Sequence, residues 1–179
     1  TGTQESFMKL FKDEDKVRQI DRKIAEKMGF EKVYNVSGQT YTRKLDSRVL
    51  NLLAEIAQSC SKFANDMRLL QHEKELEEPF EKGQIGSSAM AYKRNPMRSE
   101  RINSLSRHVM TLAMDPSITS ATQWLERTLD DSANKRICVP ESFLAVDAIL
   151  ILYANISSDI VVYKNVIKTN MMQELPFMG

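Results

Sequence analysis

The 179-residue sequence predicts an all-α fold, a bundle of long helices. Apolar residues recur every three or four positions over long stretches, as they do on one face of a helix. No run alternates apolar and polar residues over its length, which is the pattern of a half-buried strand. With 42% hydrophobic and 27% charged residues but only 6 Gly and 5 Pro, the composition excludes the disordered and fibrous classes.

The first predicted helix lies between Asp13 and Gly29. Asp13 is a residue type that accepts hydrogen bonds from the first helical N–H groups, and Gly29 tolerates the left-handed conformation that often ends a helix. The small polar residues at 37–40 predict a turn farther along the chain. The apolar stripe of the helix between Asp13 and Gly29 consists of Val17, Ile20, Ile24 and Met28.

The second predicted helix begins at Asp46 and is about 25 residues long, a length typical of bundles. Periodicity then fails over residues 74–95, which contain Pro79, Gly83, Gly86 and clustered charge. We therefore expect an extended, flexible loop there. The apolar positions of the long helix are Val49, Leu52, Leu53, Ile56, Cys60, Phe63, Ala64, Met67 and Leu70.

Three more helices are predicted after the loop. Pro96 suits the first turn of a helix that runs to residues 115–116. A shorter helix is predicted over 118–129. Pro140 then introduces a long apolar pattern that runs from 143 towards 166.

The pattern over 143–166 is apolar around much of the helix circumference. Such a helix is expected at the centre of an assembly, packed against helices of other subunits. The alternative is that it packs only within its own chain, because bundle cores often close internally. Its most apolar stretch, 143–154, is interrupted by Asp147 and is predicted to be too short to cross a bilayer. We expect a soluble, cytoplasmic protein with no membrane partner.

Charge and cysteine usage exclude several classes of function. Lys and Arg total 25 against 24 Asp and Glu, so the net charge of +1 gives no whole-chain attraction to nucleic acid or to a membrane surface. Cys60 and Cys138 lie far apart without CxxC spacing, which argues against a zinc site or a disulfide framework. No Gly-rich nucleotide fingerprint or flavin signature is present, so no cofactor and no metal are expected.

Residues 86–101 form a candidate anion site. Backbone N–H groups of the Gly-Ser segment and of the following helix N-terminus, together with Lys93 and Asn95, are suited to a carboxylate or phosphate. One alternative is a solvated basic loop. Another is a nucleic-acid-binding surface, which would use Lys93, Arg94, Arg98, Arg101 and Arg107.

The order of residues in 86–101 resembles the SSxMPxKxNP signature of the fumarase, aspartase and argininosuccinate lyase superfamily, with Ala91 in place of the usual Pro. The longer match, through Arg101, resembles the branch of that superfamily whose substrate is adenylosuccinate. Four further segments carry the same resemblance, which therefore covers essentially the whole chain. They are 1–4, which matches weakly, 37–41, 78–82 and 126–134.

The resemblance implies a general acid–base elimination of fumarate from adenylosuccinate, which yields AMP, and from the related succinylated imidazole ribotide of purine synthesis. It also implies a homotetramer whose active sites are shared between subunits. Ser87 would be the general base, with Lys93 and Asn95 stabilising the carboxylate at the reacting carbon. The resemblance gives substrate contacts to Gln39 and Arg101, and phosphate contacts to Arg127, Ser132 and Arg136.

Five of these residues also have an ordinary interpretation. Ser87 suits a loop, Gln39 could satisfy buried backbone, Arg101 and Arg127 could pair with neighbouring glutamates, and Ser132 could cap a helix.

The general acid of the superfamily is a histidine upstream of residues 1–4. His72 and His108 lie in helical patterns and are expected to serve packing or surface roles. We therefore interpret residues 1–179 as an incomplete central helical domain, without the N-terminal and C-terminal domains and inactive in isolation. The rival interpretations are a catalytically silent oligomerisation module and another fumarate-releasing lyase of the superfamily.

Overall fold

The computed structural model describes residues 4–80, 90, 94–125 and 129–175. Within these ranges the chain forms seven α-helices, a short 3₁₀ helix over Leu129–Asp131 and two strands of two residues each, which confirms the predicted all-α fold. The helices are α1 (Glu5–Phe11), α2 (Glu14–Lys27), α3 (Lys44–His72), α4 (Met97–Leu112), α5 (Met114–Thr122), α6 (Lys135–Ser158) and α7 (Lys164–Glu174). The strands are β1 (Leu76–Glu77) and β2 (Val161–Val162).

The 29-residue α3 is the centre of the bundle, and α4 and α6 pack along it. Ala57 and Ala64 are fully buried on α3, and their small side chains let the neighbouring helices approach closely. Burial of each large aliphatic side chain contributes about 1.5–3 kcal/mol to the free energy of unfolding. The main core consists of Leu53, Ala57, Cys60, Ala64, Met67, Ile102, Val109, Ala145, Val146, Ile149 and Ile156.

The caps predicted for α2 are confirmed, but its predicted stripe is wrong in its second half. The Asp13 carboxylate accepts from Lys16 N at 3.1 Å, and Gly29 follows the helix with a φ of +78°. Val17 is buried, whereas Ile24 and Met28 are exposed. The reason is that α2, within the described residues, packs mainly against α1 and not along the bundle.

The long helix forms as predicted, but the helix after Pro96 ends at Leu112 and not at 115–116, and the next helix also has different bounds. α5 covers Met114–Thr122 instead of 118–129, and the preceding break falls at Ala113. Pro116 lies in the first turn of α5, where N–H groups have no acceptor within the helix. The N–H that proline lacks therefore costs α5 no hydrogen bond. Proline here starts a helix that was expected to begin after it.

The predicted bounds of the last long helix are also wrong. α6 begins at Lys135 and contains Pro140, and it ends at Ser158 instead of continuing to 166. Pro140 is exposed, so water can satisfy the Arg136 carbonyl that loses its helical donor. After α6 the chain forms β2, which pairs antiparallel with β1 in the register Leu76↔Val162. Strands of two residues are too short to give an alternating sequence signal.

The longer helical stretch Leu129–Ser158, which contains 143–154, is long and apolar enough to cross a membrane by length and composition. A core helix of a bundle passes the same test, and one face of α6 packs on α3 and α4. Its other face carries exposed apolar side chains, among them Leu144 at 71% and Ile151 at 63% exposure.

Candidate active site

A cavity of about 830 Å³ lies at the C-terminal end of α3. The last turns of α3, strand β1 and the start of α4 form its walls, so it adjoins both flanks of segment 81–93. A volume of this size accommodates a small organic ligand. The lining residues are Asn65, Arg68, Leu69, Gln71, His72, Lys74, Glu77, Arg94, Asn95, Pro96 and Glu100.

Basic side chains outnumber acidic ones in this cavity. The lining includes three basic side chains, Arg68, Lys74 and Arg94, and two carboxylates, Glu77 and Glu100, and this excess of positive charge favours an anionic ligand. Glu77 is engaged within the protein, because its Oε2 lies 3.1 Å from Arg94 Nη1 and accepts the Tyr163 hydroxyl at 2.7 Å. That hydrogen bond raises the pKa of Tyr163.

The N-terminus of α4 donates to a carboxylate of the protein itself. Glu78 Oε2 accepts from Arg98 N at 3.1 Å, and its Oε1 accepts from Ser99 N at 2.7 Å. The prediction that these helical N–H groups face an external anion is therefore wrong in this structure. Pro96 occupies the N-cap position without a side-chain acceptor, and Glu78 replaces it as the cap.

Gln71 connects the two flanks of segment 81–93. Its Nε2 donates to the carbonyl of Arg94 at 3.3 Å, and its Oε1 accepts from Glu78 N at 3.2 Å. The Arg94 guanidinium also lies 4.8 Å from the ring centroid of Phe80. The chain before and after the segment is thus fastened to the end of α3.

A second polar cluster lies at the opposite end of α3. Arg43 Nε donates to Asp131 Oδ2 at 2.7 Å, and both side chains are nearly inaccessible, at 6% and 3% exposure. The Tyr41 hydroxyl donates to Asp46 at 2.8 Å, and Lys135 contacts both of those side chains. The hydrogen bond to Asp131 raises the pKa of Arg43, which is charged throughout the physiological range.

Three predicted site residues lie at this end. Gln39 lines a groove of about 250 Å³ between residues 34–42 and 123–125. Ser132 is half-buried, and its hydroxyl donates to the Leu129 carbonyl at 3.1 Å. Arg136 is exposed in the first turn of α6.

Two other predicted site residues lie at the far end. Asn95 is half-buried in the cavity, and Arg101 is exposed in the second turn of α4. The 29 residues of α3 span about 44 Å at 1.5 Å per residue, so one chain does not bring the two groups together. The remaining predicted residues, Ser87, Lys93 and Arg127, lie outside the described residues.

The two histidines differ in their surroundings. His72 is the last residue of α3 and lines the cavity, whereas His108 Nε2 lies 3.0 Å from Glu141 Oε1 on the exposed side of α4 and α6. Within the part of the chain that the structure describes, no group of three or more His, Cys, Asp or Glu is arranged to hold a metal ion.

Sequence reasoning missed the residues that fasten the neighbouring chain segments at each end of α3. They are Gln71 and Glu78 at the C-terminal end and Arg43 and Asp131 at the N-terminal end. Glu78 is 20 and 21 positions from its partners, and Arg43 is 88 positions from Asp131. No local pattern signals pairs so far apart. The one available signal was Glu78 itself, a charged residue beside Pro79 in a segment with the superfamily resemblance.

A family model described as "Lyase" matches residues 15–111, more than half of the chain. The chain belongs to this lyase family. The matched stretch contains α3, nearly all of α2 and α4, and the residues that line the 830 Å³ cavity. The superfamily resemblance is thereby confirmed.

The lyase chain is similar over its whole length to curated adenylosuccinate lyases. It is 55% identical to that of Saccharomyces cerevisiae and 52% identical to that of Schizosaccharomyces pombe, in each case over 100% of this chain and 37% of the relative. It is 35% identical to that of Bacillus subtilis over 87% of this chain and 36% of the relative. The chain therefore spans a little over a third of the length of these relatives.

Solved structures confirm the fold of the lyase chain. The 3-carboxy-cis,cis-muconate lactonizing enzyme from Pseudomonas putida matches with a TM-score of 0.73 at 21% identity, over 88% of this chain and 34% of that one. The fumarate lyase:delta crystallin from Brucella melitensis, bound to cobalt, matches with a TM-score of 0.67 at 18% identity, over 93% and 39%. Identities this low concern the fold alone.

Proposed function

We propose that the whole protein is an adenylosuccinate lyase of purine and AMP biosynthesis. It would release fumarate from adenylosuccinate to give AMP, and from succinylaminoimidazole carboxamide ribotide. The observation that carries this proposal is the identity of 55% and 52%, over 100% of the chain, with two proteins of that name.

The reaction needs one group that removes a proton from carbon and another that protonates the departing nitrogen. We assign the first duty to Ser87. As the C–H bond breaks, its electrons form the C=C bond of fumarate, and the C–N bonding pair stays with nitrogen. The general acid would be a histidine outside residues 1–179.

The carboxylate beside the reacting carbon gains negative charge in the transition state, and we assign its stabilisation to Lys93 and Asn95. The half-buried position of Asn95 in a cavity with excess basic side chains supports this assignment. A serine hydroxyl is a weak base at neutral pH, so nearby cationic and N–H donors are needed to stabilise its alkoxide.

The nucleotide part of the substrate would bind the other cluster. Ser132 and Arg136, with Arg127, offer the hydroxyl and guanidinium donors that suit a phosphate. The buried Arg43–Asp131 pair supports a common site, because it holds the chain just after Gln39 against the chain just before Ser132.

We further propose that the protein is cytoplasmic and forms a homotetramer whose active sites are shared between subunits. The two groups of site residues are separated by most of the length of α3. One small substrate can therefore contact both groups only if a second subunit places the N-terminal end of its α3 beside the C-terminal end of the first subunit's α3. The exposed apolar face of α6 supports such helix packing between subunits.

The test is fumarate release from adenylosuccinate by the whole protein, with Ser87→Ala and the matched control Ser88→Ala. We expect turnover of the wild type, an approximately 10²- to 10⁴-fold loss in Ser87→Ala with substrate binding retained, and near-normal turnover in Ser88→Ala. No release by the wild type would overturn the proposed function. Normal turnover by Ser87→Ala would overturn the assignment of the base.

A further inference from the structure

Glu78 supplies the cap that α4 lacks locally. The first N–H groups of a helix have no acceptor within the helix, and Pro96 at the N-cap position offers no side-chain acceptor. Glu78 is only 6% exposed, and its two oxygens accept from Arg98 N and Ser99 N. A buried carboxylate at this place is stabilised by the positive end of the helix dipole.

The same cap determines where the cavity edge lies. Asn95 stands two residues before α4, and its carbonyl accepts from Met97 N at 2.8 Å. The position of Asn95 therefore follows the position of the first turn of α4. Gln71 adds a second constraint, because one carboxamide bonds to the backbone of both Glu78 and Arg94.

We propose that Glu78, assisted by Gln71, is a positioning residue that holds Asn95 at the cavity. Glu78 touches no substrate in this scheme and acts by fixing the first turn of α4 against the end of α3. Its effect on catalysis rests on the proposed function, in which Asn95 binds the substrate carboxylate.

The experiment uses the whole protein with Glu78→Ala, Glu78→Gln and Gln71→Ala. Glu73→Gln is the matched control, since it removes the same charge from an exposed side chain at the end of α3. Amide hydrogen exchange of Arg98 and Ser99 reports the cap directly. Steady-state kinetics with adenylosuccinate reports the positioning, and helix content and assembly are measured on every variant.

In Glu78→Ala we expect the two amides to exchange about tenfold faster. We expect kcat/KM to fall about 100-fold, mostly through kcat, because Asn95 would face a charge that grows in the transition state. Glu78→Gln keeps one acceptor oxygen and should recover part of the loss. Gln71→Ala should also speed amide exchange at Arg98 and Ser99 and lower kcat/KM. Glu73→Gln should match the wild type in both measurements.

Unchanged exchange at Arg98 and Ser99 in Glu78→Ala would overturn the proposal, as would unchanged kcat/KM together with faster exchange. If Glu78→Ala does not fold, Glu78→Gln and Gln71→Ala decide the same question. If the wild type releases no fumarate, the proposed function is wrong, whatever the role of Glu78. The amide exchange of Arg98 and Ser99 then still decides whether Glu78 holds the first turn of α4.

Discussion

The Arg43 guanidinium and the Asp131 carboxylate lie 2.7 Å apart, although 88 positions separate them in the sequence. They join the chain entering α3 to the chain leading into α6. Because both groups are buried, each charge is compensated mainly by the other.

Asp131→Ala is expected to lower the free energy of unfolding by as much as about 3–5 kcal/mol, because it removes the nearest carboxylate from the buried Arg43 and leaves the more distant Asp46, 3.9 Å from Arg43 Nη1. Urea unfolding of the whole protein, with folded assembly confirmed beforehand, measures the change. Asp66→Ala is the control, since Asp66 pairs with Lys62 on the exposed side of α3 and should change the value by less than about 1 kcal/mol. Equal effects of the two substitutions would contradict the prediction.

The Tyr163 phenol is expected to titrate above 10.0, the value of an unperturbed tyrosine, because its hydrogen bond to Glu77 favours the protonated form. A folded-state pKa raised above the unfolded value adds stability that is fully present below the unfolded value. This stability is lost as the pH rises through the folded value. The measurement is tyrosinate absorbance against pH, with Tyr163→Phe to identify the signal.

In that titration, Glu77→Gln is expected to bring the pKa of Tyr163 back towards its ordinary value. An unchanged titration in Glu77→Gln would show that the carboxylate is not the cause of the raised pKa.

Both thiols are expected to resist alkylation in the folded protein. Cys60 and Cys138 are buried, and burial raises the pKa of each, to about 11 for Cys138, so little thiolate is present at pH 8. Iodoacetamide labelling followed by intact mass should show modification only after denaturant is added. Labelling at the same rate without denaturant would mean that α3 and α6 open readily.

Leu144→Glu is expected to weaken assembly, because it places a charge on the exposed apolar face of α6. Sedimentation of the whole protein at several concentrations measures the distribution of species. Glu141→Lys is the control on the same helix, since Glu141 is exposed and contacts His108 of the same chain. An unchanged distribution for Leu144→Glu would show that this face does not join subunits.

Local sequence signals predicted much of the fold and singled out one residue that lines the cavity of the candidate site. The Asp13 cap acts within a single turn, and the apolar residues of α3 recur every three or four positions along the helix. Both features could therefore be predicted from the sequence. The prolines at 116 and 140 were misread: Pro116 was expected to end the helix before it and Pro140 to open the helix after it, whereas each lies in the early part of a helix. Motif order identified Asn95, whereas no local pattern identified Gln71 as its neighbour in the cavity.

The sequence by itself determined the helical class, the family and the residue types of the candidate site, because periodicity, capping and motif order are local properties of the chain. Tertiary structure alone decided that Glu78 caps α4, that Arg43 pairs with Asp131, and that Asn95 and Gln39 lie at opposite ends of α3. The physical reason is that such contacts depend on the path of the chain around α3, which brings together groups 20 to 88 positions apart.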